Sequence, residues 1–195
     1  MSKISQYVID TLPTVSDYIV GTDAETLQTR NYKIGKIVDL QAIKPTGSFY
    51  HTANQNGNAL QPQVVLFATS DIDATYQWSI VSNSRLTPQV AGLYNFDFTF
   101  FLSVLLGTVP VTAYFWLRKN GTTIIPNSSV ARVINTTTDV YPVNANYSID
   151  LEVGDYIEVM WQISAVGPTV QLLYQASVLA SGPAMPSAAV TINKI

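Results

Sequence analysis

The fold is decided by a stretch near the middle of the 195-residue chain in which every second residue is aromatic. It reads Leu93-Tyr94-Asn95-Phe96-Asp97-Phe98-Thr99-Phe100. Alternate residues of an extended chain point to opposite faces, so the rings share one face and the polar side chains share the other. The stretch therefore predicts a β-strand with one face in a hydrophobic core.

The same stretch leads into an uncharged run, Phe98 to Leu117, that is long enough to cross a bilayer as a helix. Gly107 and Pro110 interrupt this run near its middle. Asp97 and Arg118 bound it closely. Helix breakers and a period of two residues favour strands over a transmembrane helix, so we expect no membrane partner.

From residue 47 onward, short strand-like runs alternate with turn signals, which is typical of an antiparallel sandwich or barrel. Asn120-Gly121 predicts a type I′ hairpin turn, because both residues accept a positive φ. Val153-Gly154-Asp155 predicts a second turn. The predicted strands are Val64–Thr69, Thr75–Val81, Gly92–Val104, Val111–Leu117, Thr122–Ile125, Val130–Ile134, Tyr147–Leu151, Tyr156–Ile163, Val170–Leu179 and Ala189–Ile195.

The first 44 residues differ from the rest because charged side chains are concentrated there. Pro45-Thr46-Gly47 is a turn signal, so we predict one segment over residues 1–44 and one domain over residues 45–195. Gly35 interrupts the helical spacing of Ile34, Ile37 and Val38, and the segment is too short to bury a core alone. It is predicted to order against copies of itself or another protein. The anchor residues proposed for it are Tyr18, Ile19, Val20, Tyr32, Ile34 and Ile37.

The amino-acid composition favours an oligomer and excludes several kinds of binding site. Charged residues make up 12% of the chain, against about 25% in typical domains. A monomer with so few charged side chains would expose much apolar area to solvent. Contact between subunits would bury part of that area. The net charge of −3 and the absence of a basic block argue against nucleic-acid binding. With no cysteine, disulfides and thiolate metal sites are excluded.

Three motifs occur in a fixed order along the domain. They are Val90-Ala91-Gly92-Leu93-Tyr94-Asn95-Phe96, Trp116-Leu117-Arg118-Lys119-Asn120-Gly121 and Leu151-Glu152-Val153-Gly154-Asp155-Tyr156-Ile157. Their order and spacing over about residues 60–195 resemble the C1q/TNF-like jelly roll. The resemblance implies an all-β, antiparallel jelly-roll sandwich of ten strands that forms a homotrimer. Because the sequence contains no catalytic constellation, we expect no enzymatic activity and no cofactor. It leaves open whether Ala189–Ile195 returns to the sheet or projects as a tail.

The aromatic strands supply the predicted trimer interface. If both faces of these strands are covered, one fills the sandwich and the other meets a neighbouring subunit. The interface residues expected on this basis are Tyr94, Phe96, Phe98, Phe100, Tyr114, Trp116 and Trp161.

The N-terminal segment resembles phrases of bacteriophage tail and head fibre chains, in Asp17-Tyr18-Ile19-Val20-Gly21-Thr22-Asp23 and Thr29-Arg30-Asn31-Tyr32. This resemblance implies a structural component of a phage virion, a fibre head or capsid decoration on head or tail, held to other virion proteins by residues 1–44. Residues 1–10 contain no apolar stretch for a signal peptide, so we expect synthesis in the host cytoplasm. The alternative function is binding of a host glycan or protein through polar loops at Ser48–Gln61 and Asn135–Asn146.

Few residues offer catalytic or metal chemistry. His51 is the only histidine and is expected to be a solvated loop residue rather than part of a triad or zinc site. Glycan hydrolysis would need two carboxylates roughly 5–10 Å apart, which sequence spacing cannot establish. The carboxylates considered are Asp71 with Asp73, and Glu152, Asp155 and Glu158, all expected at loops or strand edges. Calcium at Asp71 and Asp73 is the lesser alternative. We predict no catalytic residue and no metal ligand.

Overall fold

The computed structural model describes residues 16, 18–22, 25–33, 45–57, 61–71, 75–177 and 182–195. The chain divides into two compact units, Met1–Lys44 and Pro45–Ile195. In the first unit, strands β1 (Tyr18–Thr22) and β2 (Thr29–Lys33) form an antiparallel pair, with Ile19 opposite Tyr32. The helical spacing predicted around residues 34–38 lies outside the described residues.

The second unit contains two seven-stranded antiparallel sheets. We name them sheet I and sheet II. Sheet I consists of β3 (Thr46–His51), β4 (Gln55–Asn56), β6 (Thr69–Ser70), β9 (Gly92–Leu106), β13 (Tyr141–Leu151), β15 (Thr169–Leu172) and β16 (Ala188–Lys194). Sheet II consists of β5 (Gln63–Val64), β7 (Trp78–Val81), β8 (Arg85–Pro88), β10 (Val111–Lys119), β11 (Thr123–Ile124), β12 (Val130–Ile134) and β14 (Ile157–Ile163).

Strand β9 organises sheet I. Its residues from Gly92 to Leu102 pair with β13 on one edge. The other edge is shared by β16, which pairs with residues 94–100, and β15, which pairs with residues 102–106. Strand β16 also pairs with β3, so the last strand of the unit lies inside the sheet. The segment whose destination the sequence left open therefore returns to the sheet.

The core lies between the two sheets and is built around a chain of rings. On β9, Phe96, Phe98 and Phe100 stack in succession with centroids 5.8 and 6.0 Å apart. Phe100 then stacks on Phe115 of sheet II at 4.7 Å, and Phe115 on Trp161 at 6.0 Å. Each aromatic pair contributes roughly 0.5–1.5 kcal/mol beyond its buried area, so the stack joins the sheets as well as filling the space between them.

The predicted turns and most of the predicted strands are confirmed. Two strands are wrong in part: Val64–Thr69 is extended into strands only at Val64 and Thr69, and the strand predicted over Val170–Leu179 ends at Leu172. Asn120 and Gly121 have φ values of 54° and 73°, and they join β10 to β11 as a hairpin. Residues 98–106 and 111–117 belong to β9 and β10, not to a helix. Within the described part of the chain, no helix has the length and apolarity needed to cross a membrane.

Two predicted loops are wrong in part. Ser48–Gln61 was expected to be an exposed loop, but Ser48–His51 belongs to β3 and Gln55–Asn56 forms β4. Asn135–Asn146 was expected to be a second loop, but residues 141–146 begin β13. Strand pairing with distant partners makes both segments extended, and it leaves shorter polar connections at residues 52–54 and 135–140.

Candidate functional site

Five of the predicted interface residues lie in the core of a single protomer. Tyr94, Phe96, Phe98, Phe100 and Trp161 are each at most 2% exposed. Their rings pack against the opposite sheet of the same unit, so they have no side-chain surface left to meet a neighbour. The interface prediction is therefore corrected for these five residues: alternation placed them on the buried face, and the opposite sheet covers that face.

The other two predicted interface residues lie on the surface. Tyr114 is 43% exposed on the outer face of β10, where it is paired with Gln162. Trp116 lies two residues further along the same face, half-buried beside Met160. Both remain available for a contact with another molecule. In the N-terminal unit, Tyr18, Ile19 and Val20 are exposed and Tyr32 is half-buried, whereas Ile34 and Ile37 lie outside the described residues.

On the outer face of sheet I, Asp150 lies opposite Leu93 near one end, and the middle of this face is almost free of charge. We name it the polar face, and it consists of three cross-strand rows: Asn144, Thr99, Ala189, Tyr50; Asn146, Asp97, Thr191, Ser48; and Ser148, Asn95, Asn193, Thr46. Asp97 is the single charged side chain in these rows, and Asn146 Nδ2 donates to its Oδ1 at 2.6 Å. Thr99 Oγ1 donates to Asn144 Oδ1 at 3.1 Å. These two hydrogen bonds lower the cost of removing the four side chains involved from water.

Glu158 is a buried carboxylate on the outer side of sheet II. Arg118 donates to its Oε2 from Nε at 3.0 Å and from Nη2 at 2.8 Å. The Nε of Arg85 lies 3.6 Å from its Oε1. A carboxylate enclosed by two guanidinium groups has a structural role here, because its oxygens are already engaged.

Asp155 connects two turns through an ion pair and hydrogen bonds. The Lys119 ammonium lies 2.6 Å from Oδ2, Asn120 Nδ2 donates to Oδ1 at 2.7 Å, and the Glu152 N–H donates to Oδ2 at 2.8 Å. The hydrogen bonds from Lys119 and Asn120 are the main cause of a pKa lowered to about 2 for Asp155. The two turn motifs found in the sequence are therefore one hydrogen-bonded unit, and Asp155 is part of the scaffold.

His51 lies on a strand and not on the solvated loop expected for it. It ends β3 opposite Ala188, and its Nδ1 accepts a hydrogen bond from the Ala68 N–H at 3.3 Å. Partial burial lowers the pKa of this imidazole. Asp73, half of the suggested calcium pair, lies outside the described residues. Among the residues that are described, no group of three or more His, Asp and Glu side chains is arranged to hold a metal ion.

One end of the sandwich contains a cavity of about 290 Å³ lined by side-chain amides. We name it the amide pocket: Asn54, Gln55, Asn56 and Gln63 contribute the amides, and Val64, Leu66 and Trp161 complete the lining. Gln55 fixes one wall, because its Oε1 accepts from the Leu66 N–H at 2.7 Å and its Nε2 donates to Leu66 O at 3.0 Å. The predicted binding loop Ser48–Gln61 contains Asn54, Gln55 and Asn56, so sequence analysis found one side of this site. It missed Gln63 on the other side, because a two-residue strand such as β5 gives no strand pattern.

Comparison with known proteins shows which known fold the structure resembles. No protein-family model matches the sequence. No curated protein matches it by sequence. By structure, it is similar to Eiger TNF from S. frugiperda, with a TM-score of 0.51 and 11% identity over 78% of this chain and 92% of that one. The chain has a TNF-like jelly-roll fold. The globular domain of zebrafish complement 1qA protein aligns over 78% of this chain and 98% of its own, with a TM-score of 0.49 and 17% identity.

At these identities the similarity establishes the fold alone. It confirms the expected antiparallel jelly roll. The position of Tyr94, Phe96, Phe98 and Phe100 in its core follows from the burial of their side chains.

Proposed function

We propose that this protein is a structural component of a phage virion, a homotrimeric fibre head or capsid-decoration protein held in place by residues 1–44. The observation that carries the proposal is the combination of a TNF-like jelly-roll unit with a separate N-terminal unit. The N-terminal unit exposes Tyr18, Ile19 and Val20 on one short strand, which provides apolar surface for attachment to another virion protein.

The polar face supports the trimer. Exposed surfaces of soluble domains usually contain about 25–35% charged side chains, and interface centres are depleted of them. The rows around Thr99 contain one carboxylate and no cation. Thr99 bonds to Asn144 and Asn146 bonds to Asp97, so these four side chains lose less when a neighbour excludes water. We place the main trimer contact here, with the Tyr114 and Trp116 surface as the competing location.

Mass measurement under native conditions tests the assembly. The expected result is a species of three times the 21.3 kDa chain that persists on dilution. A stable, well-folded monomer at micromolar concentration would contradict the trimer.

Deletion of residues 1–40 tests the anchor. The shortened protein is expected to keep its oligomeric state and to lose binding to purified particles that lack the protein. A truncated protein that still binds those particles would refute the role of the N-terminal unit.

Recognition of a host glycan is the second candidate function, and the amide pocket favours it. Uncharged amides in a concave site are suited to neutral hydroxyl-rich ligands, because they offer both donors and acceptors. A glycan array and cell-adsorption assays with the purified protein are the tests. No bound glycan and no adsorption would exclude this function.

We infer that the protein is not an enzyme. Two carboxylates considered for hydrolysis are engaged in the scaffold, Asp155 by Lys119 and Glu158 by Arg118. Incubation with host polysaccharide should release no reducing ends, and steady release would overturn this inference.

A further inference from the structure

We propose that the amide pocket binds one neutral sugar ring of a glycan. This inference rests on the second proposed function, glycan recognition, and names the site and the class of ligand. The pocket lies where a short strand of sheet I meets a short strand of sheet II, joined by the bond from Gln63 Nε2 to Asn56 O. Strand β4, at Gln55 and Asn56, pairs with β15 of sheet I, whereas β5, at Gln63 and Val64, pairs with β14 of sheet II.

The walls of the pocket are held by hydrogen bonds, so its shape is formed before a ligand arrives. Gln55 is buried and joins β4 to Leu66 and to Ser187, whose Oγ accepts from Gln55 Nε2 at 3.3 Å. The Gln63 Nε2 donates to Asn56 O at 2.8 Å. A preformed site avoids the ordering cost that a flexible site pays on binding.

Several polar groups of the pocket are not used by the scaffold. Asn54 Oδ1 accepts from the Tyr174 N–H at 2.7 Å, which leaves its Nδ2 as a donor. Within the described residues, the exposed Asn56 side chain has no hydrogen bond, and Gln63 Oε1 has no donor. The unused set therefore contains amide donors and amide acceptors at the rim of one cavity.

This set matches hydroxyl groups, each of which donates and accepts. A charged ligand is disfavoured, because no charged side chain lines the pocket to compensate it. An apolar ligand would leave the amides without partners. The volume of about 290 Å³ lies at the lower end of small-molecule sites, roughly 300–1,000 Å³, which suits a single ring.

Trp161 provides a reporter at the inner end of the pocket. It is fully buried, and within the described structure its Nε1 has no hydrogen-bond acceptor. Gly57 packs closely on this indole, since a Cβ at Gly57 would lie 3.0 Å from Trp161 Cη2. A ligand that settles between Asn56 and Gln63 should therefore change the environment of the indole.

The test is NMR titration of the ¹⁵N-labelled full chain with methyl glycosides of glucose, galactose, mannose and N-acetylglucosamine. The side-chain amide signals of Asn54, Asn56 and Gln63 and the Trp161 indole signal should shift with a saturable, millimolar dependence for at least one sugar. Glucuronic acid is the charged comparison and should bind at least about tenfold more weakly, because its carboxylate lacks a partner in the pocket.

Two variants remove pocket groups and one is a matched control. Asn56→Ala deletes an exposed amide that the scaffold does not use. Gln63→Leu removes Oε1 at nearly constant volume, together with the Nε2 donor to Asn56 O. Each should weaken binding about three- to tenfold, the loss expected for one hydrogen bond. Gln162→Leu makes the same chemical change on the outer face of sheet II, opposite Tyr114, and should bind as the wild type does.

The outcomes separate this inference from the function on which it rests. Weaker sugar binding by the two pocket variants, together with unchanged sugar binding by Gln162→Leu, supports the pocket as the binding site. Wild-type sugar binding that survives both pocket changes, or that is lost in Gln162→Leu, overturns the pocket while glycan recognition stands. If no neutral sugar shifts any signal and the glycan array is also blank, both the inference and the second function are refuted.

Discussion

At the residue scale, the Asp155 side chain has the clearest consequence for stability. Its carboxylate accepts from Lys119, Asn120 and the Glu152 backbone, and its pKa is lowered to about 2. A depressed carboxyl pKa stabilises the folded state above the unfolded value of about 3.9, and that stabilisation is lost as the pH falls through the folded value. The window for this effect is therefore about pH 4 to pH 2.

We expect Asp155→Asn to lower the free energy of unfolding by about 1–2 kcal/mol at pH 7, from the loss of charge-assisted hydrogen bonds. The difference from the wild type should shrink between pH 4 and pH 2, as measured by urea unfolding at several pH values. Glu152→Gln is the control, because the Glu152 side chain is exposed and makes no hydrogen bond within the described residues. If the difference in the free energy of unfolding between the wild type and Asp155→Asn stays constant with pH, the lowered pKa of Asp155 is wrong.

Residue patterns predicted which side chains are buried, but not what buries them. The alternation from Tyr94 to Phe100 correctly identified one covered face. A period of two residues contains no information on whether the cover is the opposite sheet or another subunit, and the interface prediction failed at that step. The polar side of the same strand, Asn95, Asp97 and Thr99, was equally visible in the sequence. Its low charge becomes a property of a surface only when β13 and β16 are placed beside it.

At the scale of elements, strand β16 is the strongest test of the topology. Ile192 is buried between the sheets, whereas its neighbour Thr191 lies exposed on the polar face. We expect Ile192→Asn to destabilise the domain by more than about 3 kcal/mol, because it combines lost apolar burial with a buried amide.

Thr191→Asn makes a similar polar change on the outer side of the same strand and should alter stability by less than about 0.5 kcal/mol. Thermal melting followed by circular dichroism, together with soluble yield, measures both variants. Equal effects at the two positions would mean that β16 does not lie between β9 and β3.

Elements with their own local signal were predicted, and those that depend on distant partners were missed. The Asn120-Gly121 hairpin was found because two residues determine its turn. Strand β3 was not predicted, since Thr46 to His51 begins at a turn signal and becomes extended by pairing with residues 188–193. The first half of β13 was missed for the same reason: Asn144 and Asn146 suggest a loop, and β9 holds them in a sheet.

At the scale of the whole molecule, the proposed trimer contact can be located by adding one charge to each candidate face. Thr99→Arg places a cation in the middle of the polar face and should convert the trimer to monomers. Tyr114→Arg places the same group on the outer face of sheet II and should leave the trimer intact. Analytical ultracentrifugation measures the oligomeric state of both variants, and circular dichroism checks that each variant is folded. Dissociation by the Tyr114 variant alone would move the contact to sheet II.

The position of β16 also has a consequence for synthesis. Among the strands of this unit it is the last to be translated, yet it fills the gap between β9 and β3. A nascent chain on the ribosome therefore holds the aromatic row of β9 with one edge unpaired until residues 188–194 have emerged. Open edges beside exposed rings favour aggregation, so the unit should depend on chaperones while it is being made.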